Sequence, residues 1–141
     1  MAKKANSPAA PKAEVLIIDD DVAILHSLRV LFESNDIPLA IARDGLEGLA
    51  LFRKLSPKVV LTDILMPEQD GIGVIMAMRR ERPDVKIIAM SGGGRIGKSD
   101  FLTVAKKLGA DAVIAKPFDV DELIGLIRRC IGGESSPGSA R

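Results

Sequence analysis

VLIIDDD, residues 15–21, is the stretch on which the fold turns: four apolar residues run straight into three carboxylates. An apolar run this short, with no polar alternation, reads as a strand buried on both faces, which is how strands of a helix-covered parallel sheet look. Comparable runs recur at 39–42, 59–61, 87–90 and 112–115, each ending near a polar or turn residue. Between them the spacing turns helical: Leu123, Ile127 and Cys130 or Ile131 share one face, and Leu46 with Leu49 or Ala50 fall opposite Arg53.

The helix ends carry their own chemistry. Asp44 with Glu47 and Asp119 with Glu122 fit the Asp-x-x-Glu form of a capping box, in which side chains satisfy the free amides of a first turn. Asp21, ahead of Val22, suits the same role for the first helix. Pro83 lies past the third predicted helix and Gly109 closes the fourth. Gly132 and Gly133 follow the fifth after Arg128 and Arg129, cations suited to a helix carboxyl end. Gly71 after Asp70 and Pro67 before it read as turn residues ahead of the third helix.

Strand and helix therefore alternate five times. Strands joined through helices run parallel with right-handed crossovers, so the expected fold class is α/β: a (βα)5 doubly wound parallel sheet in a three-layer sandwich. Among the orders open to such a sheet, the flavodoxin-like strand order 2-1-3-4-5 is the one expected. In that order the winding reverses between the first and third strands and opens a crevice at their carboxyl ends, where ligands bind.

The bulk composition sets limits on function. The 141 residues are 47% apolar and 28% charged, enough for one domain with its own core. Twenty Lys plus Arg against nineteen Asp plus Glu leave a formal charge of +1, which gives no reason to expect direct nucleic-acid binding. The single cysteine, Cys130, has no intrachain disulfide partner, and no apolar run approaches the roughly 18 residues of a membrane span. A cytoplasmic protein without membrane insertion is expected. Residues 1–13, rich in Ala, Lys and Pro, and 133–141, rich in Gly and Ser, read as disordered tails around a domain at 14–132.

The crevice is where chemistry is expected. The first strand runs out into Asp19, Asp20 and Asp21, and the third into Asp63, so several carboxylates converge. Like charges that close raise one another's pKa unless a cation sits among them, and hard oxygen donors suit Mg2+. Ending a strand and capping a helix accounts for Asp21 but not for Ser91 at the end of the fourth strand, or Lys116, beside Pro117, at the end of the fifth. Acid, hydroxyl and ammonium meet on one edge.

In VLIIDDD, TDILMPEQDG, AMSG and KPF, in that order and each at the end of its strand, the chain resembles the receiver domains of bacterial response regulators over about 120 residues. The resemblance implies a phosphoprotein of a two-component system or phosphorelay, not a conventional enzyme, that takes part in its own aspartyl phosphorylation and dephosphorylation. It implies Asp63 as phosphoacceptor, Asp20 and Asp63 as direct Mg2+ ligands, Asp19 as a ligand through water, Leu65 as donor of a carbonyl ligand, and Ser91 and Lys116 as phosphoryl-oxygen binders. It implies a cis peptide before Pro117, and as partners a histidine kinase or histidine phosphotransfer protein and an output protein. The output surface it implies is formed by the fourth helix, fifth strand and fifth helix, and a stand-alone, chemotaxis-regulator-like arrangement is expected.

Some positions depart from the family pattern. Val113 stands where many receivers carry an aromatic switch residue. Leu65 and Gly93, at the positions that tune hydrolysis, have no polar group to hold a water. Two rival readings remain: a receiver-like interaction module that no longer uses phosphoryl transfer, and a nucleotide-binding protein, because residues 92–99, Gly-Gly-Gly-Arg-Ile-Gly-Lys-Ser, satisfy the phosphate-loop pattern. The latter leaves Asp19, Asp20, Asp63 and Lys116 without a role. His26, the only histidine, reads as a surface or partly packed residue of the first helix, and Cys130 as a core-facing residue of the fifth.

Overall fold

The computed structural model describes residues 13–63, 65–66, 69–91, 103, 107 and 109–132. Five parallel strands form the main sheet: β1 (Val15–Ile18), β2 (Leu39–Ala42), β3 (Val59–Asp63), β6 (Lys86–Ser91) and β7 (Ala112–Ala115), in the order β2-β1-β3-β6-β7. That is the expected 2-1-3-4-5 order. The described helices are α1 (Val22–Ser34), α2 (Gly45–Leu55), α3 (Gly71–Glu81) and α4 (Val120–Ile131). The fourth predicted helix and the glycine-rich residues 92–99 lie outside the described residues apart from Thr103 and Lys107, both helical.

Two cores cover the sheet, one per face. On β1, Val15 and Ile17 enter the core capped by α1 and α4, while Leu16 and Ile18 enter the one capped by α2 and α3. The same alternation places Val59 and Leu61 of β3, with Ile88 and Met90 of β6, on the first side, and Val60, Ile87 and Ala89 on the second. This is why the strands are apolar without alternation: both faces are dry. Each fully buried branched side chain contributes roughly 1.5–3 kcal/mol of transfer free energy.

The caps form as expected, with one shift. Asp44 Oδ1 accepts from Glu47 N at 2.8 Å and Asp119 Oδ1 from Glu122 N at 3.0 Å. The return bond of the first box lands one residue early: Glu47 Oε1 accepts from Arg43 N at 2.9 Å, so both sides of the Asp44 junction are tied. Gly109 adopts φ +98°, a left-handed conformation at which a Cβ is strained.

Two expectations need correction. Leu46 is 74% exposed, whereas Leu49 packs partly buried on the core beside Gly45, Gly48 and Phe52. The cause is close approach: a Cβ on Gly48 would lie 2.5 Å from Ile18 Cδ1, so the helix seats on its glycine and turns Leu46 outward. The stretch after β3 is also not simple loop, since β4 (Leu65–Met66) pairs antiparallel with β5 (Gln69–Asp70) before α3 begins at Gly71 itself.

Candidate functional site

Three consecutive aspartates after β1 do three different things. Asp19 N still pairs with Ala42 O at 3.1 Å, which turns the Asp19 side chain into the sheet, where it is 0% exposed. Its Oδ1 accepts from Asp21 N at 2.9 Å. Asp20 is exposed over the crevice. Asp21 caps α1, its Oδ1 accepting from Ala23 N at 3.0 Å and Ile24 N at 3.4 Å.

Asp63 is the last residue of β3 and is buried. Because Ile18 pairs with Thr62, the next residues along the two strands, Asp19 and Asp63, emerge side by side. Lys116 directly follows β7, its bond to Pro117 is cis as the resemblance implied, and its side chain reaches across the edge. Its Nζ donates to Asp19 Oδ2 at 2.7 Å and to Asp63 Oδ2 at 3.0 Å, with the lysine side chain 15% exposed.

The electrostatics follow from burial. Loss of solvent pushes the Asp19 carboxyl above the usual carboxylate value; the Lys116 ammonium and the Asp21 amide only partly reverse this, and the Asp63 charge adds to it. Burial also works against the charge on Lys116. The hydrogen bonds to Asp19 and Asp63 outweigh it and hold the ammonium above its ordinary value.

Asp19, Asp20 and Asp63 each bring a carboxylate oxygen within 4.8 Å of the others. Three hard, anionic donors on one side of a lysine-tethered pocket fit a divalent cation of the Mg2+ kind. Ser91 ends β6 with its backbone paired to Ala115, and Leu65 opens β4 two residues beyond Asp63. The phosphate-loop pattern at 92–99 lies outside the described residues. Val113 is half-buried and packs on the α2–α3 side of the sheet. His26 is exposed and Cys130 is buried, as expected. What the sequence did not reveal is the double tether of Lys116, since nothing local marks a contact between residues 97 positions apart.

A doubly wound sheet whose carboxyl edge gathers buried carboxylates around one lysine defines an α/β domain with an acidic pocket at its switch point. Residues 15–128 match the response regulator receiver domain model. The chain is 32% identical over 126 residues to a probable transcriptional regulator, ycf27, of Cyanophora paradoxa, covering 89% of this chain and 51% of that protein. It is 35% identical over 120 residues to the acid tolerance regulatory protein ActR of Rhizobium meliloti, covering 84% and 60%. A CheY-like receiver domain protein from Methanospirillum hungatei superposes with a TM-score of 0.76 at 29% identity, over 86% of this chain and 95% of that one. A receiver domain from Clostridium thermocellum gives 0.76 at 30% identity, over 85% and 94%.

The chain belongs to the response regulator receiver domain family, whose general function is phosphorylation-activated signalling and whose acidic pocket binds Mg2+. It spans about half the length of the regulators it matches in sequence. Among the described residues no helix is long and apolar enough to cross a membrane.

Proposed function

We propose that residues 14–132 act as a receiver that accepts a phosphoryl group on Asp63 from a histidine kinase or histidine phosphotransfer protein and passes the signal on by protein–protein contact. The observation that carries this reading is the Lys116 ammonium held between Asp19 and Asp63, with Asp20 alongside. An Asp63 carboxylate oxygen attacks phosphorus in line; the new O–P bond forms as the donor N–P bond breaks, and the leaving imidazole keeps its proton. Lys116, already beside Asp63 Oδ2, neutralises charge on the transferring oxygens without having to move far. Ser91, at the end of the neighbouring strand, donates to another of those oxygens. Asp20 and Asp63 would hold Mg2+ directly, Asp19 through water and Leu65 through its carbonyl, and the bound cation would supply charge neutralisation. Hydrolysis of the acyl phosphate resets the switch.

The output surface in this reading is formed by the crossover helix before β7, β7 itself and α4, and the compartment is the cytoplasm. With Val113 in place of an aromatic residue, readout runs through backbone and loop movement.

Intact mass spectrometry after incubation with Mg2+ and acetyl phosphate tests the proposal. The chain should gain one phosphoryl group, and Asp63→Asn should gain none. No gain from acetyl phosphate or from a histidine kinase would leave the receiver-like interaction module as the better reading. ATP binding lost in Lys98→Ala and retained in Asp63→Asn would favour the nucleotide-binding one.

A further inference from the structure

Among the described residues, β7 lies at the edge of the main sheet, paired to β6 alone, yet it delivers the lysine on which the pocket depends. Something must hold its register, because a strand held on one side slips more readily than one held on both, and a slip of one residue would turn Lys116 away from the carboxylates. The amino end of β7 carries an unusual fastening. Arg79 of α3 donates from Nε and Nη2 to Gly109 O at 3.2 and 2.7 Å. Its Nη1 donates to Pro83 O and Val85 O, both at 2.7 Å, and its Nη2 to Asp111 Oδ2 at 2.6 Å. All donor hydrogens of the guanidinium are thereby used, a fit that only a planar fork achieves.

Asp111 completes the junction. Its Oδ2 also accepts from Ile87 N at 2.8 Å, and its own N donates to Ile87 O at 2.7 Å, so it sits at the first rung between β6 and β7. One guanidinium thus joins the loop after α3, the start of β6 and the end of the crossover. The amino end of β7 is held from α3.

We propose that Arg79, with Asp111, is a positioning residue for phosphoryl transfer: it fixes the register of β7 so that Lys116 stays aligned with Asp63. This rests on the phosphoryl-acceptor reading of Asp63. Lys116 lies five residues beyond Asp111, near enough along one extended strand for a loosened anchor to be felt at its other end.

The test is a double-mutant cycle on the rate of phosphorylation by acetyl phosphate with Mg2+, read by intact mass on fully folded protein well below the melting temperature. Arg79→Gln should slow the wild-type rate by about one order of magnitude and have no further effect in a Lys116→Gln background. Arg79→Lys, which keeps the charge but not the fork, should recover only part of the rate. Amide hydrogen exchange across 112–115 should accelerate in Arg79→Gln while β1 and β3 stay protected. If Arg79→Gln does not fold, Asp111→Asn, which keeps the Arg79 bonds to Gly109, Pro83 and Val85, takes its place in the same cycle. An equal slowing with and without Lys116, or an unchanged rate, overturns the positioning role. A wild-type chain that takes up no phosphoryl group refutes the reading of Asp63 instead.

Discussion

Lys116 Nζ lies 3.0 Å from Asp63 Oδ2, on strands that are separated in the sheet by β6. The same ammonium is also held at 2.7 Å by Asp19, just past the end of β1 and beyond Asp63 across the sheet. With both carboxylates buried and the lysine nearly so, the contacts act at reduced dielectric, where removing one partner costs more than at the surface.

Replacing that cation should therefore be expensive in the metal-free protein. Lys116→Met leaves two adjacent buried carboxylates without their shared counter-ion and is expected to destabilise the fold by about 3 kcal/mol. Urea unfolding with and without Mg2+ measures it. The loss should shrink when Mg2+ is added, because the cation takes over part of the neutralisation; an equal loss in both conditions would contradict that account.

Asp19 sets the pH dependence. Its folded-state pKa lies above the unfolded one, so its contribution to stability is fully present below the ordinary carboxylate pKa and is lost as pH rises through the raised value. Between those two values the Asp19 contribution to the stability of the metal-free protein should fall with increasing pH. Asp19→Asn, whose amide oxygen can still accept from Lys116, should remove this slope and raise the stability of the metal-free chain at neutral pH, while weakening Mg2+ binding. Thermal melts over the acidic range, in chelator, give the comparison.

Divalent metal should stabilise by mass action. At 100 times its Kd, Mg2+ adds about 2.7 kcal/mol, and the effect should fade on acidification as Asp19 takes up its proton. Asp20→Asn, at an exposed position, should leave metal-free stability within about 0.5 kcal/mol yet lower the Mg2+-induced rise in Tm. A Tm rise unchanged in Asp20→Asn would remove that residue from the ligand set.

Gly48 reports how closely α2 approaches the strand that carries the site. Its missing Cβ would lie 2.5 Å from Ile18 Cδ1 and 2.9 Å from Cγ1. Overpacking costs about 1–3 kcal/mol, against a helix-propensity gain of about 1 kcal/mol from alanine, so Gly48→Ala should destabilise by about 1 kcal/mol. Ile18→Val removes Cδ1, and the double variant should be more stable than the sum of the two single changes. Chemical denaturation of the four proteins completes the cycle.

Much of this was legible in the chain. Uninterrupted apolar runs, Asp-x-x-Glu caps and the polar residues closing each run sufficed for five parallel strands and, with the flavodoxin-like order adopted for them, for the convergence of Asp19, Asp20, Asp63 and Lys116 on one edge. These features are local, or follow from a topology rule that local features feed. The rotation of α2 was not legible, because Leu46 fits a helical stripe and its exposure is decided by Gly48 meeting Ile18. The β4–β5 pair was hidden for a similar reason: two-residue strands carry no periodicity.

The sequence by itself determined which residues reach the carboxyl edge, since each stands at the end of an apolar run that has only one stable place in a helix-covered sheet. Only the tertiary structure decided how those residues divide the work. Asp19 is buried, Asp20 open and Asp21 bound to helix amides, although the three are chemically identical and adjacent. It also decided that Lys116 bridges Asp19 and Asp63, and that Arg79 fastens the strand behind it. Those outcomes depend on desolvation and on hydrogen bonds between residues far apart in the chain, which exist only once the strands are in register.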